Sequence, residues 1–538
     1  MRHSAQRLLI IVVAALLWSP ASQAQEALPK IAQVGPWPVV SKLVAFDGRL
    51  WFANSVKGRN HNSADLYSYD PTSGETRYER HLFSQDAGDP LVADGLLYWP
   101  FEDSRFSLGW GHFLMTDGTA WRYGTIPTAQ IFHTHAMAQQ GGDLIAATSA
   151  WRATLQRSSD GGRTWRVIYD HPTPERRVSR IVNLLPFGER LLADLKARED
   201  GGLLSLAHGE VTRIPGWPHE RPRRGLAAFR GQVYGLVQEE DGIALWRSDG
   251  VASERLRAPD EDWRARAIAA GDDALWVVTA EPSGGLVWRS PDGTSWEPAY
   301  QVTGGRPHEL LFAAGQVFVS GAGDDGRGIL WGPPAPVAFK TPSAGSLPSN
   351  PATEPNRRDW VAAAAGLEAM LAQTDPYARH GAALRDLIYE LATEGPPEGF
   401  FAERLKAVMP EDELSLIGGA VRDPAHKLGR WLLLWGMTLA GAGDVPLSLL
   451  GEPWTATENG AEKYFDAPPA ALWTVANIGQ RDRATIAALI ERLGRADDPL
   501  WLRGDVVGAL TTVSGERFAY DIAAWRDWWD AAAEGWPD

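Results

Sequence analysis

Arginine and histidine recur in this sequence at two fixed offsets ahead of a repeated strand-like segment. Seven such segments begin at Gly48, Gly95, Gly142, Glu189, Gly231, Asp273 and Gly315. Nine residues before them stand Val39, Asp86, His133, Arg180, Pro222, Arg264 and Arg306, and seven residues before them stand Ser41, Gly88, His135, Val182, Arg224, Arg266 and His308. Eight of these fourteen positions are Arg or His in a chain of formal charge −15. Five residues before the segments the column turns apolar, with Leu43, Pro90, Met137, Leu184, Leu226, Ile268 and Leu310. A strand apolar along its depth and cationic at its end predicts an electropositive mouth in an acidic shell. Guanidinium forks there suit carboxylates, sulfates or phosphates, and histidine suits proton transfer.

The loops facing the same mouth add Asn54, Lys57, Arg59, Asn60, His61, Asn62 and Asp65, then Glu102, Asp103 and Arg105, then Trp151 and Arg152, then Lys196 and Arg198. The candidate catalytic groups are His133, His135, Glu102 and Asp103. The candidate ligand-binding groups are Arg180, Arg224, Arg266, Arg306, His308, Arg105, Arg152 and His61, with Trp151 placed to stack on a sugar ring. Strand alternation puts His133 and His135 on one side, as two metal ligands would be, but no third ligand is evident, and neither a metal nor another cofactor is expected. The competing reading pairs Arg180, Arg224, Arg266 and Arg306 with Glu102, Asp103, Glu239, Glu240 and Glu281 as ties between repeats.

The elements that must position these groups follow from the period. The seven segments are spaced 47, 47, 47, 42, 42 and 42 residues apart. Each period holds about four strand candidates; in the third they are Thr134–Gln139, Asp143–Thr148, Thr154–Ser158 and Thr164–Tyr169. This is the signature of an all-β seven-bladed propeller over residues 25–335. The seventh period lacks its own fourth strand, and a strand over Lys30–Gly35 or over Pro336–Lys340 would close the ring without a free edge.

Between the last two strands of the third period lies Ser158-Ser-Asp160-Gly161-Gly162-Arg-Thr164-Trp165. The Asp-Gly-Gly core suits a tight turn that needs positive φ. This segment resembles the Asp-box of bacterial neuraminidase repeats at every fixed position. Ser290-Pro-Asp292-Gly293-Thr-Ser-Trp296 is a shortened copy, and Thr116–Trp121 and Ser248-Asp249-Gly250 are degenerate ones. The resemblance implies an Asp-box propeller, sialidase-like in fold only. Arg213-Ile214-Pro215 echoes the sialidase arginine, but the repeat register assigns it to the outermost strand of the fourth sheet, far from the mouth. The mouth is similar in kind to that of propeller polysaccharide lyases, which use His or Tyr as base and Arg against a uronate.

Residues 1–24 read as a secretory signal peptide: Arg2, His3 and Arg7, an apolar run from Leu8 to Leu17, then small Ser22 and Ala24. Seven prolines between 333 and 357 mark a linker, placed at 336–357. Residues 358–538 read as all-α, with helices expected over Val361–Leu371, Ala383–Ala392, Phe401–Val408, Leu428–Leu439, Ala471–Ile478, Thr485–Leu493, Leu500–Thr511 and Tyr520–Ala533. The last of these resemble the final unit of bacterial HEAT-like repeat proteins. The absence of cysteine removes disulfides, thiol catalysis and thiolate metal sites, and the acidic balance argues against nucleic acid. The expectation is a periplasmic or secreted protein without a membrane span after signal removal. It would recognise an anionic carbohydrate or similar small anionic ligand at the channel mouth, with lyase or hydrolase chemistry open. The alternative is a non-catalytic scaffold that binds a protein through its helical part.

Overall fold

Alternating apolar residues across seven repeats can be buried on both faces only if the sheets stack side by side, and this is how the chain folds. The structure, a computed structural model, describes residues 26–56, 63–104, 111–126, 131, 133–149, 152–172, 179–197, 200–218, 223–240, 242–257, 263–334, 336–339, 345, 347, 445, 447–454 and 467–538. Blade one is Val39–Phe46, Arg49–Ser55, Asp65–Tyr69 and Thr76–His81, and blade two is Leu91–Ala93, Leu96–Pro100, Gly111–Thr116 and Trp121–Ile126. Blade three runs His133–Gln140, Asp143–Ser149, Arg152–Ser158 and Arg166–Pro172, close to the strands read from sequence. Blade four runs Arg180–Phe187, Arg190–Lys196, Gly202–Ala207 and Glu210–Arg213, which puts Arg213 on the outermost strand as the register requires. Blade five runs Arg223–Phe229, Gln232–Glu239, Gly242–Ser248 and Ser253–Leu256, and blade six Ala265–Ala270, Leu275–Thr279, Gly284–Ser290 and Glu297–Thr303.

Blade seven has Gly305–Ala313, Gln316–Gly323 and Gly328–Trp331, and its fourth strand is Lys30–Val34, antiparallel to Gly328–Trp331. Of the two closures open to the sequence, the chain uses the amino-terminal one. Glu26–Ala27 adds a short parallel strand to the edge of blade six. The first strand of every blade packs on that of the next, and blade seven's packs on blade one's, so seven sheets form a closed ring. Buried Trp51, Trp99 and Trp331 fill space between sheets.

The Asp160 turn works as its composition suggests. Asp160 accepts from the Ser158 hydroxyl at 2.7 Å and from the backbone N–H of Arg163 and Thr164 at 3.0 and 2.9 Å, while the Trp165 indole donates to the Gly162 carbonyl at 3.1 Å. Gly124, in the outer strand of blade two, leaves room for a ring: a Cβ there would lie 2.1 Å from Phe113 Cζ. Phe113 is buried and held edge-on by Trp165 at 5.8 Å. Gly124→Ala is therefore expected to cost about 1–3 kcal/mol by overpacking, read as a lower thermal midpoint than wild type.

The carboxyl-terminal region contributes helices Leu447–Gly451, Ala467–Ile478, Arg483–Leu493, Leu500–Ser514 and Ile522–Ala532. The four helices expected before residue 440, the signal segment and most of the linker lie outside the described residues. Among the described residues no helix is long and apolar enough to cross a membrane. The Leu500–Ser514 helix lies on the outer strand of blade one, and one core runs through both: Phe83 meets Trp473 edge-on at 5.2 Å. Gly504 and Gly508, one turn apart, permit this approach, since a Cβ on them would sit 2.9 Å and 2.8 Å from the His81 ring.

A polar network is sealed in that contact. His81 lies between Asp65 (Nδ1 to Oδ1, 2.8 Å) and Asp505 (Nε2 to Oδ1, 2.9 Å), and all three side chains are fully buried. Asp65 also accepts from the Trp37 indole at 2.9 Å and the Tyr520 hydroxyl at 2.8 Å. Arg517 reaches Glu79 at 2.6 Å, and Ser63 donates to the Trp501 carbonyl at 2.9 Å.

Candidate functional site in the central channel

The ring gathers its inner strands around a cavity of about 710 Å³. What aims side chains into it is a defect in the ladder repeated around the ring. On the innermost strands the pairing slips between Ser41 and Val44, Thr134 and Ala136, Ile181 and Leu184, Arg223 and Leu226, Ala265 and Ala267, and Pro307 and Glu309. Blade two carries the same slip: five residues from Ala87 to Leu91 face four from Tyr98 to Phe101. A bulge of one extra residue re-aims its side chain. His135, Arg266 and His308 are those extra residues, and all three line the cavity.

The bulge also brings in groups that strict alternation hides. Lys42, Asp89, Asn183 and Glu309 stand six residues before their segments, off the sampled odd offsets, and they line the same cavity with Asp86 and Lys196. A bulge lets neighbours in sequence face the same space, and stepping one residue along the columns would have revealed them. Leu184, Leu226, Ile268 and Leu310, from the apolar column, also line it.

The sequence-predicted residues divide as follows. Glu102, His135, Arg180, Arg266 and His308 come together in the cavity lining. His133 is buried just behind, its ring stacked on His135 at 5.3 Å and its Nδ1 on the Glu102 carbonyl. Asp103 is half-buried beside them, its N–H donating to Ser84 Oγ at 3.3 Å, and does not line the cavity. Arg306 is exposed outside the lining. Arg224 lies in the first strand of blade five, and Arg152 opens the third strand of blade three. His61, Arg105 and Trp151 lie outside the described residues.

The electropositive mouth expected from the columns is offset by acids: Asp86, Asp89, Glu102 and Glu309 line the cavity with Lys42, Arg180, Lys196 and Arg266. Two of its acids, Asp89 and Glu309, were hidden by the bulge, and His133 and His135 are not cations. Burial, reinforced by Arg180, holds the His133 pKa down at about 4. Burial, then His133, Arg180, Lys196 and Lys42, pushes His135 well below its ordinary value. Both rings are neutral at pH 7, and His135 Nε2 pairs with Ser149 Oγ at 2.9 Å. That state suits hydrogen bonding better than proton capture.

The charged groups are unevenly satisfied. Lys42 gives its ammonium to Asp89 and its backbone N–H to Glu309, tying blades one, two and seven together. Burial would lower the Lys42 pKa, but Asp89, Glu309 and Asp86 outweigh it and raise the value. Asp86 accepts from Ser55 Oγ at 2.8 Å and the Ala87 N–H at 2.9 Å. The cavity-lining cations of blades four and six are less closely paired. Arg180 Nη1 stands 4.0 Å from the Glu102 carboxylate, and among the described residues its buried Nε has no acceptor. Lys196 and Arg266 make no hydrogen bond or ion pair among the described residues. Among those residues no group of three His, Asp or Glu is arranged to hold a metal ion.

No protein-family model matches this chain, and no curated protein sequence does either. Several solved propellers are similar at low level. The WD40 domain of Neurospora crassa Pan2 is 11% identical over 60% of this chain and 100% of its own, with a TM-score of 0.42. The propeller domain of the Trilobed protease from Pyrococcus furiosus is 9% identical over 55% of this chain and 96% of its own, with a TM-score of 0.40. A putative 6-phosphogluconolactonase from Bacteroides fragilis is 12% identical over 55% of this chain and 96% of its own, with a TM-score of 0.39. These are distant relations of shape and say nothing of chemistry; the fold itself stands on the ring of seven sheets and their pairing.

Proposed function

We propose that the channel cavity binds a small anionic ligand, of which an acidic carbohydrate unit is the best fit. The single observation behind this reading is the imbalance of satisfaction. The cavity's Asp86, Asp89 and Glu309 already have donors, whereas among the described residues Lys196 and Arg266 have no side-chain partner and Arg180 has only Glu102, at 4.0 Å. Cations that face a cavity unpaired cost free energy unless a ligand anion or water completes them. The polar lining and the volume suit one or two sugar rings. With His133 and His135 neutral, the site reads as a binding site first, and lyase or hydrolase chemistry would need a base other than these rings.

The protein fits the exported, Asp-box class of propellers, with a HEAT-like helical region, on the sequence features given above. The scaffold alternative calls for broad apolar surface. Among the described residues the well-exposed large apolar side chains are Val167, Val251 and Leu447, on separate elements. Titration calorimetry of the full chain with glucuronate and oligogalacturonate tests the proposal. Arg266→Ala is expected to weaken binding about 10-fold or more, the loss of a charge-assisted contact. No heat with any acidic sugar, together with no uronate release, would remove it.

A further inference from the structure

Arg180 and Lys196 are direct partners across the first two strands of blade four, and both side chains line the cavity. Like charges facing each other on a ladder are destabilising. Here one carboxylate, Glu102, stands near the pair, 4.0 Å from Arg180. Once Lys196 carries its proton, two cations against one acid leave room for a single negative charge. We propose, building on the anion-binding reading, that Arg180 and Lys196 form a subsite for a singly charged oxyanion, a sugar carboxylate or sulfate monoester, and that the anion binds there together with one proton taken up by Lys196.

The groups around Lys196 make the coupling specific. Arg180 faces it from the neighbouring strand, Lys42 reaches in from blade one, Asp89 and Glu102 from blade two, and His135 from blade three. In the empty site burial, then Arg180, lowers the Lys196 pKa, with Glu102 and Asp89 acting against them and Lys42 with them. A bound anion adds an opposite charge beside the amine and raises its affinity for a proton. By linkage, ligand binding then consumes protons at any pH between the Lys196 values of the empty and filled sites.

Calorimetry of the full chain with glucuronate tests this, repeated in buffers of different ionisation enthalpy between about pH 7 and pH 10, the range below the ordinary lysine value. Proton uptake per ligand should pass through a maximum in this range. Lys196→Met should weaken binding about 10-fold, as for a lost charge-assisted bond, and abolish the uptake. Lys196→Arg, permanently charged, should keep binding within about 3-fold, consistent with retained charge, and also abolish it. A glucose sulfate ester that binds with the same uptake identifies the sulfate source, and one that does not leaves the carboxylate; neutral glucose should not bind. Binding with no proton uptake, uptake that survives in both variants, or a preference for the dianionic glucose phosphate would overturn this inference while leaving the anion site standing. Absence of all binding would remove the anion site itself.

Discussion

Asp505→Ala is expected to cost about 3–5 kcal/mol and loosen the carboxyl-terminal helices from blade one. The reason is the position of His81. Its two ring nitrogens face carboxylates at 2.8 and 2.9 Å, and the ring and both carboxylates are fully buried. Two acceptors require two N–H donors, which is the imidazolium. Burial alone would lower the His81 pKa, but the hydrogen bonds to Asp505 and Asp65 win and raise it. Removing one carboxylate leaves a buried group without its compensation, and this is where the magnitude comes from. Limited proteolysis of the helical region and the urea midpoint would read the loss. A midpoint within about 0.5 kcal/mol of wild type, the size of an ordinary surface change, would show that the triad is idle.

The same geometry gives a pH dependence of definite sign. A folded-state pKa raised above the unfolded value of about 6.5 stabilises the fold fully below that pH. The contribution is then lost as pH rises through the folded value. Wild type should therefore lose stability on the alkaline side of about pH 6.5. Asp505→Asn, which keeps an acceptor but not the charge, should show a smaller slope there.

The second large effect is expected at Trp331. Trp331→Ala should cost about 3–5 kcal/mol, as emptied aromatic core sites do. The residue is fully buried with Leu28, Trp276, Val302 and Val319, and its indole donates to the Thr303 carbonyl at 3.1 Å, joining blade seven to blade six. Its backbone pairs with Lys30 across the closure. The urea midpoint should fall, and cleavage near Lys30 should accelerate as the closing strand opens more often. A lower midpoint with unchanged cleavage at Lys30 would show a core defect that never reaches the closure.

Much of the fold was legible because repetition multiplies weak signals. No one segment such as Gly142-Asp-Leu-Ile-Ala-Ala identifies a blade, but seven at near-constant spacing do. The missing fourth strand of blade seven pointed to Lys30–Val34 for the same reason. The cavity was legible only in part. His135, Arg180, Arg266 and His308 were found because their columns sit at odd offsets. Lys42, Asp89 and Glu309 were missed because a bulge breaks alternation, and nothing in local composition announces a bulge lacking glycine. The helix contact was missed for another reason. Thr76-Arg-Tyr-Glu-Arg-His81 reads as a solvent-facing edge strand, yet Glu79 and His81 are buried by residues more than 400 positions away. A polar strand whose partners lie that far along the chain carries no short-range mark.

The closing pair, Lys30 with Trp331, has a kinetic consequence. Lys30–Val34 is synthesised ahead of blade one yet is among the last strands to be matched. Until residue 331 is available, the outer strand of blade seven does not exist, and the amino-terminal segment has nothing to zip against. The loop to be closed spans some three hundred residues, so its entropy is forfeited in one late step. Circularly permuted chains that begin at Gln33-Val34 or end before Gly328 would split that step differently, and the refolding rate would report when the annulus shuts.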